Sequence, residues 1–200
     1  MLFPGWSKPL DTERVPLSPG HVLDRATVID TAAALIARHG LDQTTLTSIA
    51  DASGVSTAAV QRCFGSKQGL YAAAIAACRA AADDVHLAAM RHPAGQTRDV
   101  EALASILDFA ASHPGSAALM LTSASALATG ERPPVRGTER ALLQTFGIDV
   151  ESPDPERLTR VVAALTSLSV LVLVTPHLEV GTPWRELILA TCTDCLGHRS

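Results

Sequence analysis

Between Thr44 and Leu70, apolar residues fall at Leu46, Ile49, Ala50, Val55, Val60 and Phe64, with polar or small residues between them. That spacing fits two short helices sharing one small core. Thr45 stands where a hydroxyl can accept a backbone N–H, predicting a helix over about residues 46–52. Gly54 supplies the positive φ that ends it, and Ser56 caps a second helix over about 57–63. Gly65-Ser66 breaks the chain and caps it again before Lys67. The pattern leaves Thr47, Thr57, Ala58, Ala59, Arg62 and Cys63 facing outward. Upstream, Ser18-Pro19 reads as a cap with proline at the first helical position. Its helix carries Val22, Ala26, Ile29, Ala33 and Ile36 on one face and ends at Gly40.

Downstream, Ser66 caps a long helix over about 67–91, stopped before Pro93. Further helical stretches follow at about 98–112, 116–128, 136–146, 155–175 and 183–196, separated by His113-Pro114-Gly115, Arg132-Pro133-Pro134 and Gly147. The last is opened by Thr182-Pro183 and closed by Gly197. No window alternates like a half-buried strand, so the expected fold is all-α with about nine helices. The organisation reads as a flexible arm over 1–17, a helix-turn-helix domain over 18–66 and a larger helical domain over 67–200.

A capped helix, a glycine turn and a second short helix form the unit that lays its second helix in the DNA major groove; the same unit also packs helices in proteins that bind no DNA. The outward residues suit the first role. Small side chains such as Ala58 let the backbone approach bases, and hydroxyls and Arg62 can serve bases or phosphates. The segment resembles the DNA-binding domain of the tetracycline-repressor (TetR) family of transcriptional regulators over about residues 21–71. The likeness rests on Thr44-Thr45, Ile49-Ala50, Gly54-Val55-Ser56, Phe64, Ser66-Lys67 and Leu70. Two positions depart: Gln61 stands where the family usually has a phosphate-contacting Tyr, and Cys63 where His or Tyr is common. The resemblance implies a homodimer that reads a palindromic operator on double-stranded DNA and is released by a small molecule. The candidate DNA contacts are Thr45, Thr47, Ser56, Thr57, Ala58, Gln61, Arg62, Cys63 and Lys67. Among them Thr57 and Arg62 are expected to read sequence, and Thr45, Thr47, Gln61 and Lys67 to hold phosphates. Lys67 begins a helix whose N-terminus already favours anions.

Charge tempers the picture. Over His21–Leu70, Arg25, Arg38, Arg62 and Lys67 balance Asp24, Asp30, Asp42 and Asp51, and the whole chain of 200 residues carries −4. Few ionic contacts and a shallow salt dependence are therefore expected, which disfavours a DNA-packaging role. Hydrophobic content of 47% with modest charge indicates a globular protein. Met1–Leu10 lacks the apolar core of a signal peptide, and the run Val161–Val174, broken by Thr166, Ser167 and Ser169, reads as a buried helix too short to span a bilayer. Four cysteines without secretory context fit a reducing, cytoplasmic setting with no membrane partner.

The 155–175 helix is apolar nearly all round and needs covering on every side, either within a monomer or by a second copy. By resemblance the dimer interface would use Leu165, Leu168, Val172, Trp184, Leu187, Ile188 and Thr191. The effector site implied by the resemblance would draw on His86, Met90, Phe109, His113, Met120, Phe146 and Leu165, and take a mostly apolar, neutral or weakly anionic molecule. Cys192 and Cys195 place two thiols near one helix face, read either as buried side chains or as a redox pair. No nucleophile elbow, phosphate-loop, dinucleotide or metal-ligand pattern occurs, so no catalysis, metal or cofactor is expected. A small helical ligand carrier or enzyme retaining the turn as scaffold is the alternative.

Overall fold

The computed structural model describes residues 15–16, 22–128, 138–174 and 184–198. They fall into two compact units, Met1–Ala77 and Cys78–Ser200, with nine helices among the described residues. The helical class expected from the sequence is the one found.

The first unit departs from expectation at its start. Val15–Pro16 (β1) and Val22–Leu23 (β2) form a two-residue antiparallel ladder, Val15 opposite Leu23. Helix α1 spans Arg25–Gln43, so Val22 lies in a strand and not on the helix face. The cap is Asp24, whose Oδ1 accepts from the Ala26 N–H at 3.1 Å and whose Oδ2 accepts from the Thr27 hydroxyl at 2.6 Å. A carboxylate offers two acceptors to a helix start and complements its dipole. Ser18-Pro19 lies outside the described residues. Gly40 (φ 78°) kinks α1 without ending it, and the buried Thr44 donates its hydroxyl to the Gly40 carbonyl at 2.8 Å. Helices α2 (Leu46–Ser53) and α3 (Thr57–Phe64) follow, α1 packing on α2 and α2 on α3. The residues withdrawn from water are Val28, Ile29, Ala32, Ala33 and Ile36 of α1, Ile49 and Ala50 of α2, and Ala59, Val60 and Phe64 of α3. Helix α4 (Lys67–Ala89) begins in the first unit and ends in the second.

The second unit adds α5 (Gln96–Ser112), α6 (Pro114–Ala128), α7 (Thr138–Thr145), α8 (Pro155–Val174) and α9 (Trp184–Cys195). The break between α5 and α6 is a single residue, His113, because Pro114 occupies a first-turn position where its missing N–H costs nothing. Arg132-Pro133-Pro134 and Thr182-Pro183 lie outside the described residues. Helix α8 packs on α5, α6 and α9. Its inner face, Val161, Ala164, Leu168 and Val172, joins Leu103, Leu107, Phe146, Ile188, Cys192 and Leu196 in one core.

Two sequence expectations about α8 change. It is 20 residues long, and among the described residues it is the one helix long and apolar enough to cross a membrane. It nevertheless packs along one side as a core helix. Leu168, Val172 and Ile188, expected at a dimer interface, are buried inside their own chain, because Leu168 and Val172 of α8 and Ile188 of α9 join the core that these helices share with α5. Val162, Val170 and Val174 are the exposed large hydrophobic residues of α8, Leu187 and Thr191 are exposed on α9, and Leu165 and Trp184 are half-buried against the core.

Candidate nucleic-acid interface

The α2–α3 pair is held by interactions between residues a few positions apart. Thr45 Oγ1 accepts from the Ser48 N–H at 3.0 Å, and Ser48 Oγ accepts from the Thr45 N–H at 3.1 Å, two donors satisfied reciprocally. Gly54 takes the left-handed conformation (φ 67°, ψ 27°) that the turn requires, its N–H donating to the carbonyls of Ala50 and Asp51. Ser56 Oγ accepts from the Ala59 N–H at 3.2 Å and starts α3. Ser66 Oγ accepts from the Gly69 N–H at 3.1 Å and starts α4.

On α3 the exposed stripe is Ala58, Gln61 and Arg62, one helical turn of neighbours, with Thr57 and Cys63 half-buried at its edges. Ala59 is a correction. Expected to face outward, it is fully buried beside Val60 because it shares the inner face of α3 with them and with Phe64. Thr47 is exposed on α2. Thr45 and Ser56 are exposed too, but their hydroxyls serve the caps. Lys67 is half-buried, and its ammonium donates to the carbonyls of Leu41 (2.8 Å) and Asp42 (3.3 Å). Arg25, read from the sequence as one of four balanced charges, lies with its guanidinium 4.5 Å from the Phe64 ring centroid. It also donates to the Cys63 carbonyl at 3.3 Å.

The candidate effector residues lie in the second unit. His86 Nδ1 is 3.0 Å from the Thr145 hydroxyl, which donates its own hydrogen to the Ala141 carbonyl at 2.7 Å. The ring therefore donates from Nδ1. Phe109 is buried and stacks on His113, centroids 5.1 Å apart. Phe146 belongs to the core, Leu165 packs against it, and Met120 is half-buried. Met90, the residue just past α4, is 51% exposed, which removes it from any enclosed wall; Leu87, three residues earlier, is exposed as well. His113 Nδ1 and Trp184 Nε1 are buried with no hydrogen-bond partner among the described residues. Cys192 is fully buried, and that burial, with the neighbouring Cys195, pushes its thiol up to about 11. A thiol so reluctant to ionise is a poor nucleophile, which favours the packing reading of the pair. No cluster of three metal-ligating side chains exists among the described residues.

Residues 28–74 match the profile of bacterial regulatory proteins of the tetR family. No curated protein matches the sequence. Among solved structures, a TetR-like transcriptional regulator from Rhodococcus sp. RHA1 is 18% identical, covering 93% of this chain and 100% of that one at a TM-score of 0.56. AmtR from Mycobacterium smegmatis is 19% identical over 93% of this chain and 91% of that one, TM-score 0.56. The fatty acid degradation regulator FadR from Bacillus halodurans is 16% identical over 87% and 98%, TM-score 0.55. At such identities the likeness is one of fold. The profile over the helix-turn-helix and the fold over nearly the whole length agree: residues 28–74 are similar to the DNA-binding segment of bacterial regulatory proteins of the tetR family, and the chain shares the fold of such regulators.

Proposed function

We propose that the protein is a cytoplasmic, homodimeric repressor that reads a palindromic operator with α3 and releases it when a small molecule binds the second unit. The observation that carries this is the outward stripe Ala58, Gln61 and Arg62 on a helix capped at its start by Ser56. Ala58 and Thr57 let the helix backbone come close to base edges, Arg62 is the exposed cation of α3, and Thr47 and Gln61 can donate to phosphates. Two such helices one DNA turn apart would supply the specificity that a near-neutral reading unit lacks alone. In binding to a selected duplex, Arg62→Ala should cost about 1–3 kcal/mol and relax the preference at the positions it reads. Unchanged affinity and preference would remove Arg62 from the interface.

The apolar residues left in solvent on α8 and α9 support the dimer. Val162, Val170 and Val174 recur at multiples of four along α8, and Leu187 (47% exposed) and Thr191 repeat that spacing on α9. Each of these Val and Leu residues is already about half-buried, so covering the remainder yields about 1 kcal/mol apiece, and several such residues on each copy are needed to hold two together. Leu187→Glu should convert a sedimenting dimer to a monomer at micromolar concentration, and a wild-type chain that already sediments alone would end the dimer reading. The effector reading draws on Phe109, which stacks on His113, and on the unpartnered His113 Nδ1 and Trp184 Nε1, which could each hydrogen-bond a mostly apolar guest. Such a guest releases DNA only through differential affinity for two conformers.

A further inference from the structure

In the first unit two cations leave the start of one helix and seize the carbonyl end of another. Arg25, the first residue of α1, donates to the Cys63 carbonyl and covers the Phe64 ring, both in the last turn of α3. Lys67, the first residue of α4, donates to the carbonyls of Leu41 and Asp42 just beyond the Gly40 kink in α1. In each case a positive charge meets the negative end of a helix, where the last carbonyls lack intrahelical partners. The cost runs the other way for Lys67, since a cation in a first turn opposes its own helix dipole, and the two carbonyls offset that cost. Arg25 adds a flat guanidinium on an aromatic face, a contact a lysine does not reproduce.

We propose that Arg25 and Lys67 are positioning residues of the DNA-reading unit. They fix the pose of α3 and leave the phosphates to Arg62, hydroxyls and backbone N–H groups. The inference rests on the reading above that α3 enters the groove, and it assigns these two cations against what their charge alone suggests. Of the four basic residues between His21 and Leu70, two are thereby occupied inside the fold. Without the clamp, α3 samples poses that do not dock, and apparent affinity falls by the fraction that still does.

Salt dependence separates the roles. A phosphate contact contributes about −0.9 to the slope of log K against log salt, so a variant losing one contact per subunit of a dimer flattens the slope by about 1.8. The test uses the full-length protein and a duplex selected from a random pool by the wild type. Variants are Arg25→Gln, Arg25→Lys, Lys67→Met and Arg62→Gln, each checked for folding by circular dichroism. Arg25→Gln and Lys67→Met should bind about tenfold more weakly with the wild-type slope, while Arg62→Gln flattens it. Arg25→Lys should fail like Arg25→Gln, because charge without the planar stack does not restore the clamp.

A second readout is amide exchange along α3, where the Gly65 N–H donates to the Gln61 carbonyl at 2.8 Å. Exchange should quicken in Arg25→Gln, and less so once Phe64→Leu has already removed the ring. A flattened slope in Arg25→Gln, with Arg25→Lys binding like the wild type, would make Arg25 a phosphate contact and overturn the clamp. If the wild type selects no duplex, the regulator reading falls, and exchange alone decides the clamp: quickened exchange upholds it, unchanged exchange defeats it.

Discussion

Asp99→Ala is expected to lower the melting temperature by about 6–12 °C. Asp99 is 1% exposed in the first turn of α5, and its Oδ2 accepts from Arg157 Nη2 at 2.5 Å and from His198 Nε2 at 2.6 Å. Arg157, near the start of α8, also donates through Nε and Nη2 to the Phe146 carbonyl after α7. One carboxylate thus joins the start of α5 to the start of α8 and to the chain just past α9. Removing one partner of a buried ion pair costs about 3–5 kcal/mol, because the other is left uncompensated. The partners here keep 25% and 22% of their side-chain surface in water, which argues for the lower end, about 3 kcal/mol. At about 2–4 °C per kcal/mol for a chain of this size, that gives the shift stated. Thermal unfolding followed by circular dichroism measures it, and a shift below about 2 °C would mean that the triad holds nothing together.

Gly69→Ala is expected to weaken DNA binding without removing any group that would touch DNA. Glycine to alanine inside a helix ordinarily stabilises by about 1 kcal/mol. Here the sign reverses, since a Cβ on Gly69 would lie 2.2 Å from the Phe64 carbonyl oxygen. That oxygen is backbone, already accepts from the Ser66 N–H at 2.8 Å, and cannot rotate away. The turn between α3 and α4 must open, at about 1–3 kcal/mol for a contact this close. Because the displaced segment is the end of α3, the helix proposed above to read the operator, affinity for a selected duplex should fall about tenfold. The alanine variant should keep its helical content. An alanine variant as stable and as tight as the wild type would show that the turn yields freely. The close approach leaves a faint mark in the sequence, a glycine in the first turn of a capped helix where nothing local asks for one.

The helix-turn-helix was legible because its determinants are short-range. Thr45 with Ser48, Ser56 with Ala59 and Ser66 with Gly69 are partners three residues apart, and Gly54 ends α2 through its own backbone. The true start of α1 was missed because two capping patterns, Ser18-Pro19 and Asp24, compete within seven residues, and only tertiary context selects between them. Ala59 was misplaced for a related reason. On an eight-residue helix, one position decides which face is inner, and alanine carries no polarity to mark it.

By itself, then, the sequence determined the helical class, the caps and breaks of the helix-turn-helix and the family likeness over residues 28–74, all properties of neighbours along the chain or of apolar spacing. Tertiary structure decided which flank of α8 turns inward, since a helix apolar nearly all round gives periodicity nothing to choose by. It also decided the partners of the charges. Arg25 meets Cys63 across 38 residues, and Asp99 meets Arg157 across 58 and His198 across 99. No local pattern encodes such pairs, because a charge is committed only when folding brings an opposite charge or a bare carbonyl within reach and removes the water between them.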